Sequence, residues 1–214
     1  MAGDQQPSKL GPGSKIAVFC GASAGNSPEY VAAAKALGEE MARRGIGLVY
    51  GGGNVGLMGA VAEAVGSGLG AEHVIGVIPA ALAPREISGT TVGEIRVVQS
   101  MHERKAMMFD EADAFITIPG GYGTLDETLE ITTWQQLGFS QKPVGILNAC
   151  GFFDKLLEFL DHATTEGFIR PASRGIVLSA TSPGDLIDKL SAYQAPPSLI
   201  SLASQGLLDV HERG

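Results

Sequence analysis

Positive charge is scarce in this sequence: 15 Lys and Arg stand against 23 Asp and Glu, a formal net charge of −8 at pH 7. Nonspecific binding to nucleic acid or to an anionic membrane draws on a broad basic field. Neither partner is therefore expected, and any anion has to be held by a local site. Cysteine is nearly absent too. Cys20 and Cys150 lie far apart, show no metal-ligand spacing, and each sits at the end of a run that reads as a strand, where a buried thiol is ordinary. No metal site is expected. No apolar run is long enough to span a bilayer. Residues 1–14 are polar and rich in Gly and Pro, without the apolar core of a secretion signal or the Arg-rich amphipathic pattern of a transit peptide. They are expected to form a disordered arm, and the expected setting is the reducing cytoplasm, with the nucleus as a second compartment. Aromatics are few, 6%, whereas 30 glycines and 44% hydrophobic residues suit tight strand-to-helix turns and favour α/β over a helical bundle. The 214 residues supply one sizeable domain.

Along the chain, short apolar and β-branched runs predict strands at 15–20, 47–50, 74–78, 95–98, 114–118, 144–147 and 176–178. Helical patterns alternate with them. One begins at Pro28 behind an N-cap Ser27 and ends near Gly45; another carries Val61 to Val65; others cover 101–110, 129–134, 152–165 and, after Ser182-Pro183, about 183–193. Residues 80–92, with Pro84, Arg85 and Glu86, show no period and read as an irregular loop near a site. Such alternation predicts a Rossmann-like three-layer sandwich, a parallel sheet of about seven strands with helices on both faces. The domain is expected to run over 15–193, with 194–214 a tail of no clear assignment.

Three strands are followed by loops of small residues. The first carries Gly21, Ala22 and Ser23, and the second is GGGNVGLMG at 51–59. The third, at 119–127, is PGGYGTLDE: Pro119, Gly120, Gly121, Tyr122, Gly123, Thr124, Leu125, Asp126, Glu127. In a parallel sheet they gather at the carboxyl edge, where open α/β folds bind ligands. Glycine lets the backbone approach a ligand, and the free N–H groups of a following helix favour an anion, so a phosphate is the natural occupant of the third loop. Glu127, placed in the first turn of that helix, would repel a phosphate set directly on it and is expected to face the attached sugar. Gly51, Gly53 and Gly56 have dinucleotide-loop spacing, but they follow the second strand, and Glu72 precedes the next strand instead of ending it. The loop also lacks the Lys and Ser or Thr of a P-loop; contact with ribose or phosphate, or helix packing, fits Gly52 and Gly53 better.

Arg104 and Lys105 are cations near the start of a helix, where the dipole does not favour them. They are either a solvated surface pair or anion ligands. Glu130 lies one turn beyond Glu127, giving either two carboxylates in one site or a structural hydrogen bond. His102 reads as a hydrogen-bonded histidine rather than a proton shuttle, and Met101 and Trp134 as pocket lining or core.

The motif PGGYGTLDE at 119–127, with GGGNVGLMG at 51–59 and Met101-His102-Glu103-Arg104-Lys105, closely resembles the Lonely Guy family, cytokinin riboside 5′-monophosphate phosphoribohydrolases often mislabelled lysine decarboxylases. The likeness extends over about 15–193 and looks closest to plant-type members, although Ala22 and Ala80 stand where those would carry Ser and Lys. The resemblance implies hydrolysis of the N-glycosidic bond of an N6-substituted AMP such as N6-isopentenyl AMP, without a metal or redox cofactor, by a homodimer or an assembly of dimers with the active site near the dimer interface. It places the catalytic pair on Arg104 and Glu127, and substrate contacts on Glu86, Arg104, Lys105, Gly121 to Glu127 and Thr133. Gly120, Gly21, Ser23, Gly52, Gly53, Met101 and Glu130 complete the expected surroundings. A noncatalytic nucleotide or molybdenum-cofactor carrier on the same fold is the alternative.

Overall fold

The computed structural model describes residues 10–87 and 89–204. Seven parallel strands form one sheet in the order β4-β3-β2-β1-β5-β6-β7: β1 (Lys15–Phe19), β2 (Gly47–Tyr50), β3 (Val74–Pro79), β4 (Glu94–Val98), β5 (Ala114–Thr117), β6 (Val144–Leu147) and β7 (Val177–Ala180). Ile16 stands beside Leu48 on one side and Ala114 on the other, so the chain reverses its direction of travel at β1. In such sheets the crevice at the reversal, here between the carboxyl ends of β1 and β5, is where a ligand fits.

Both faces are covered. On one, α1 (Pro28–Arg43), α2 (Gly56–Leu69) and α8 (Pro183–Ser191) bury Ile16, Val18, Leu48 and Ile116 against Leu37, Met41, Val61 and Leu186. On the other, α4 (Met101–Glu111) and α5 (Tyr122–Leu137) pack Met108 and Ile131 on Ala17, Phe19, Val49 and Phe115. Successive residues of β1 thus serve opposite faces. Trp134 belongs to the second core, edge-on to Phe109 at 5.0 Å, and Phe109 stacks on Phe115 at 5.8 Å.

Several boundaries depart from the sequence expectation. Helix α2 opens at Gly56, inside the expected glycine loop, because Leu57 and Met58 are drawn into the core despite poor local propensity. Helix α5 opens at Tyr122, well before the periodic stretch. It buries Thr124, Glu127, Thr128 and Gln135 beside Ile131, which blurs the apolar period. Glu127 therefore sits in the second turn, not the first. Pro79 ends β3 from within, paired with Val98, instead of stopping the strand before it. The segment read as an irregular loop contains α3 (Ala83–Glu86), while α6 (Asp154–Thr165), α7 (Pro171–Arg174) and, in the expected tail, α9 (Leu199–Ser204) complete the helices.

Within the expected arm, Pro12 packs on Gly45, Gly13 N–H donates to Gly45 at 3.1 Å, and Ser14 accepts from Gly47 N–H at 2.8 Å. The remainder of that arm, 1–9, and the end of the tail, 205–214, lie outside the described residues. Among those described, no helix is long and apolar enough to cross a membrane.

Candidate active site

The loops after β1 and β5 meet at the reversal point. Gly21 N–H donates to Pro119 O at 3.0 Å, and Leu57 N–H donates to Gly21 O at 3.2 Å, so all three glycine loops are tied together by backbone. Gly120 is required by this closeness: a Cβ there would run into Thr124 Oγ1 and stand 2.9 Å from Gly21 N. Gly121 and Gly123 have no neighbour within 4 Å of a would-be Cβ. The N-terminus of α5 therefore opens to solvent, with the N–H groups of Tyr122, Gly123 and Thr124 lacking acceptors one turn back. Below it, Thr128 Oγ1 donates to Thr124 O at 2.6 Å and lies 2.7 Å from Thr117 Oγ1, fastening the first turns of α5 to β5.

Arg104 is delivered by a well-capped helix. Ser100 Oγ accepts Glu103 N–H at 3.1 Å while Glu103 Oε2 accepts Gln99 N–H at 2.7 Å. Its guanidinium lies against Gly51, where a Cβ would overlap Nη2. Nη2 stands 3.8 Å from Glu127 Oε1, and both side chains are 9% exposed. Burial drives the Glu127 carboxyl up to about 7; the opposing pull of Arg104 and Lys105 is weaker, and Asp126 and Glu86 add to the rise. The pair is thus a fixed cation facing a group that gains or loses its proton near neutrality.

Around the pair, Glu86 Oε2 is buried with no hydrogen-bond partner among the described residues, and so is Arg104 Nε. The Glu86 carbonyl accepts Asn54 N–H at 3.0 Å, which ties α3 to the second glycine loop, and Gly53 lies close under the Glu86 side chain. Gly52, at φ +78°, packs on Ile78. Lys105 Nζ is 3.0 Å from Glu130 Oε1 and 3.3 Å from Asp126 Oδ2; burial opposes its charge, yet the two carboxylates together hold its pKa above the usual lysine value.

The structure thus brings together Gly21, Gly120, Thr124, Glu86, Arg104, Lys105, Asp126, Glu127 and Glu130. Ser23 is exposed on the first loop, its Oγ accepting Gly25 N–H. Tyr122, 95% exposed, stands at the rim, and Leu125 turns instead toward the core cluster under α6. Met101 is also exposed, with Arg104 Nη1 4.0 Å from its sulfur. His102 is exposed. Thr133 is exposed too, six residues or about 9 Å of helix beyond Glu127.

Of the two cysteines expected as buried thiols at strand ends, Cys150 is exposed at φ 54°, whereas Cys20 is partly buried just past β1 and also backs onto the site: burial raises its pKa well above the thiol range, and Glu127 adds to the shift. Its place directly before Gly21 was the available signal. A concavity of about 730 Å³ between α1 and α2 is lined by residues of neither the loops nor the pair.

Sheet order, crossing loops and the ligand crevice at the reversal place the chain among Rossmann-like α/β proteins. Its fold is similar to the molybdenum cofactor binding protein from Rippkaea orientalis, 25% identical, covering 86% of this chain and 98% of that one at a TM-score of 0.63. It is also similar to the molybdenum cofactor carrier protein from Chlamydomonas reinhardtii, 22% identical over 86% and 100% at 0.62, a likeness of fold alone. In sequence, residues 58–190 match the family described as possible lysine decarboxylase. The chain is 55% identical to cytokinin riboside 5′-monophosphate phosphoribohydrolase LOG1 from Arabidopsis thaliana, over 84% of this chain and 83% of the relative. Identity is also 55% to the probable phosphoribohydrolase of the same kind, LOGL2, from Oryza sativa subsp. japonica, over 84% and 72%. The chain belongs to this family, the Lonely Guy phosphoribohydrolases.

Proposed function

We propose that this protein hydrolyses the N-glycosidic bond of an N6-substituted AMP, a cytokinin riboside 5′-monophosphate, to the free base and ribose 5-phosphate. The observation that carries the reading is the buried Arg104–Glu127 pair beside the open N-terminus of α5. The phosphate is received by the N–H groups of residues 121–124, where backbone donors and the helix dipole favour it. That places the ribose over Glu127. Breaking C1′–N9 sends the bonding electrons to the purine and leaves positive charge on the sugar, which an ionised Glu127 stabilises while it orients ribose hydroxyls or the attacking water. Water supplies the hydroxyl at C1′, and the departing base takes up a proton. Arg104 offsets negative charge on phosphate or purine; a guanidinium releases its proton too reluctantly to be the acid. Glu86 and Lys105 complete the substrate contacts in this reading.

A homodimer also belongs to the proposal. In one chain α4 and α5, which carry the pair, leave Met101 and Leu129 40% and 42% exposed. A second copy seated there would cover these side chains and bring Thr133 into the site's surroundings. The cytoplasm is the proposed compartment.

Lysine decarboxylation is poorly served. A lysine that condenses with a pyridoxal aldehyde needs a neutral amine, whereas Lys105 is held charged by Glu130 and Asp126. The carrier alternative leaves unexplained why a carboxylate is buried against the sugar position. Incubation with N6-isopentenyl AMP separates the readings: free base on chromatography supports hydrolysis, and bound, unaltered nucleotide supports a carrier.

A further inference from the structure

The two members of the pair do not fix one another. At 3.8 Å, Arg104 Nη2 and Glu127 Oε1 are beyond hydrogen-bond length. The other holds on the guanidinium are a 4.0 Å contact from Nη1 to the Met101 sulfur and the backbone of Gly51 beneath it, and Nε has no partner among the described residues. Their separation must be set by how α4 lies against α5.

One residue away, a second ion cluster bridges these same helices. Lys105 follows Arg104 on α4, and its ammonium reaches Glu130 at 3.0 Å and Asp126 at 3.3 Å on α5. The two arms are unequal. Lys105 is 13% exposed and Glu130 25%, against 59% for Asp126, so the Glu130 arm is the shorter and less screened. Glu130 lies one turn beyond Glu127 and gives one oxygen to Lys105, while its Oε2 is buried without a partner among the described residues.

Resting on the hydrolase reading, we propose that Glu130 is a positioning residue: by anchoring Lys105 it fixes α4 against α5 and thereby the working separation of Arg104 and Glu127. Without it, the ammonium keeps only the exposed Asp126 and is free to lean toward Glu127. The charged groups acting on Glu127 are Arg104 and Lys105 from α4, Asp126 on its own helix and Glu86 from α3, with the neutral Cys20 thiol behind it. Freeing Lys105 therefore makes Glu127 easier to ionise.

The experiment compares wild type, Glu130→Gln, Lys105→Met and the double variant on N6-isopentenyl AMP, with ¹³C-NMR titration of Glu127 in the free proteins. Absence of turnover in wild type would sink the hydrolase reading itself, whereas the titration reads Glu130 without substrate. Expected for Glu130→Gln are a kcat about 10- to 100-fold lower with a far smaller change in KM, an acid limb moved to lower pH, and a Glu127 titration moved the same way. The double variant should match Lys105→Met within about twofold, because Glu130 acts through Lys105. Wild-type kcat, an unmoved Glu127 titration, a rise in KM alone, or fully additive losses would each overturn the proposal. If Glu130→Gln does not fold, Glu130→Asp, which keeps the charge but shortens the reach, should lower kcat in the same direction, and unchanged kcat there would count against it.

Discussion

Arg104 and Glu127 face each other at 3.8 Å with nine-tenths of each side chain out of solvent, yet the carboxyl is harder to ionise than one in water, not easier. Burial outweighs the guanidinium. The arrangement holds a carboxylate ready for use at neutral pH at the expense of the fold, and the pH-dependent behaviour expected of the protein follows from that imbalance.

Because kcat/KM reports ionisation in the free enzyme, and the ionised carboxylate is the acting form, activity should climb about tenfold per pH unit below 7 and level off above it. The inflection is expected at about 7, the value to which burial brings Glu127. A profile flat from pH 5 to 8 would show that ionisation of Glu127 does not control the reaction.

Stability should show the same group with the opposite sign. Below pH 4.5 Glu127 is protonated folded and unfolded alike and costs nothing; between 4.5 and about 7 the unfolded chain releases a proton that the folded one keeps, so stability falls as pH rises. Glu127→Gln removes this penalty. At pH 8 the variant should be about 1–3 kcal/mol more stable than wild type, a Tm several degrees higher. The difference should vanish at pH 4, and a Tm lowered at pH 8 would contradict the burial argument.

Gly51→Ala addresses the seat of Arg104. The added methyl meets Nη2 and, at 3.1 Å, the Met58 sulfur, both flexible side-chain ends. The guanidinium should be displaced and kcat/KM fall about 100-fold, with a stability change of about 1 kcal/mol. Steady-state kinetics beside thermal melting checks this; activity within twofold of wild type would mean that the position of Arg104 does not matter.

Strands bounded by clear breakers were legible: β2 and β6 fall on the residues expected, since short apolar runs between glycine, proline or polar residues leave little choice. The alternation that implied a parallel sheet was legible for the same reason, and with it the edge where the loops gather. Helix starts marked by a capping serine were legible too, at Pro28, Met101 and Pro183, but starts without one were not. α2 and α5 begin in glycine-rich or polar residues whose burial is decided by tertiary packing, so Glu127 was placed a turn too early. Arg104 and Glu127 were visible as candidates from charge at helix starts and from the family resemblance. Their burial, the Gly51 seat and the Glu130–Lys105 tie depend on how α4 meets α5, which no local pattern encodes.

The most direct test is release of free base from N6-isopentenyl AMP by wild type, Glu127→Gln and Arg104→Ala at pH 7.5, with circular dichroism to confirm that each variant is folded. The account predicts base and ribose 5-phosphate in equal amounts from wild type, and a loss of at least about 100-fold in each folded variant. Near-normal release by either variant would contradict it.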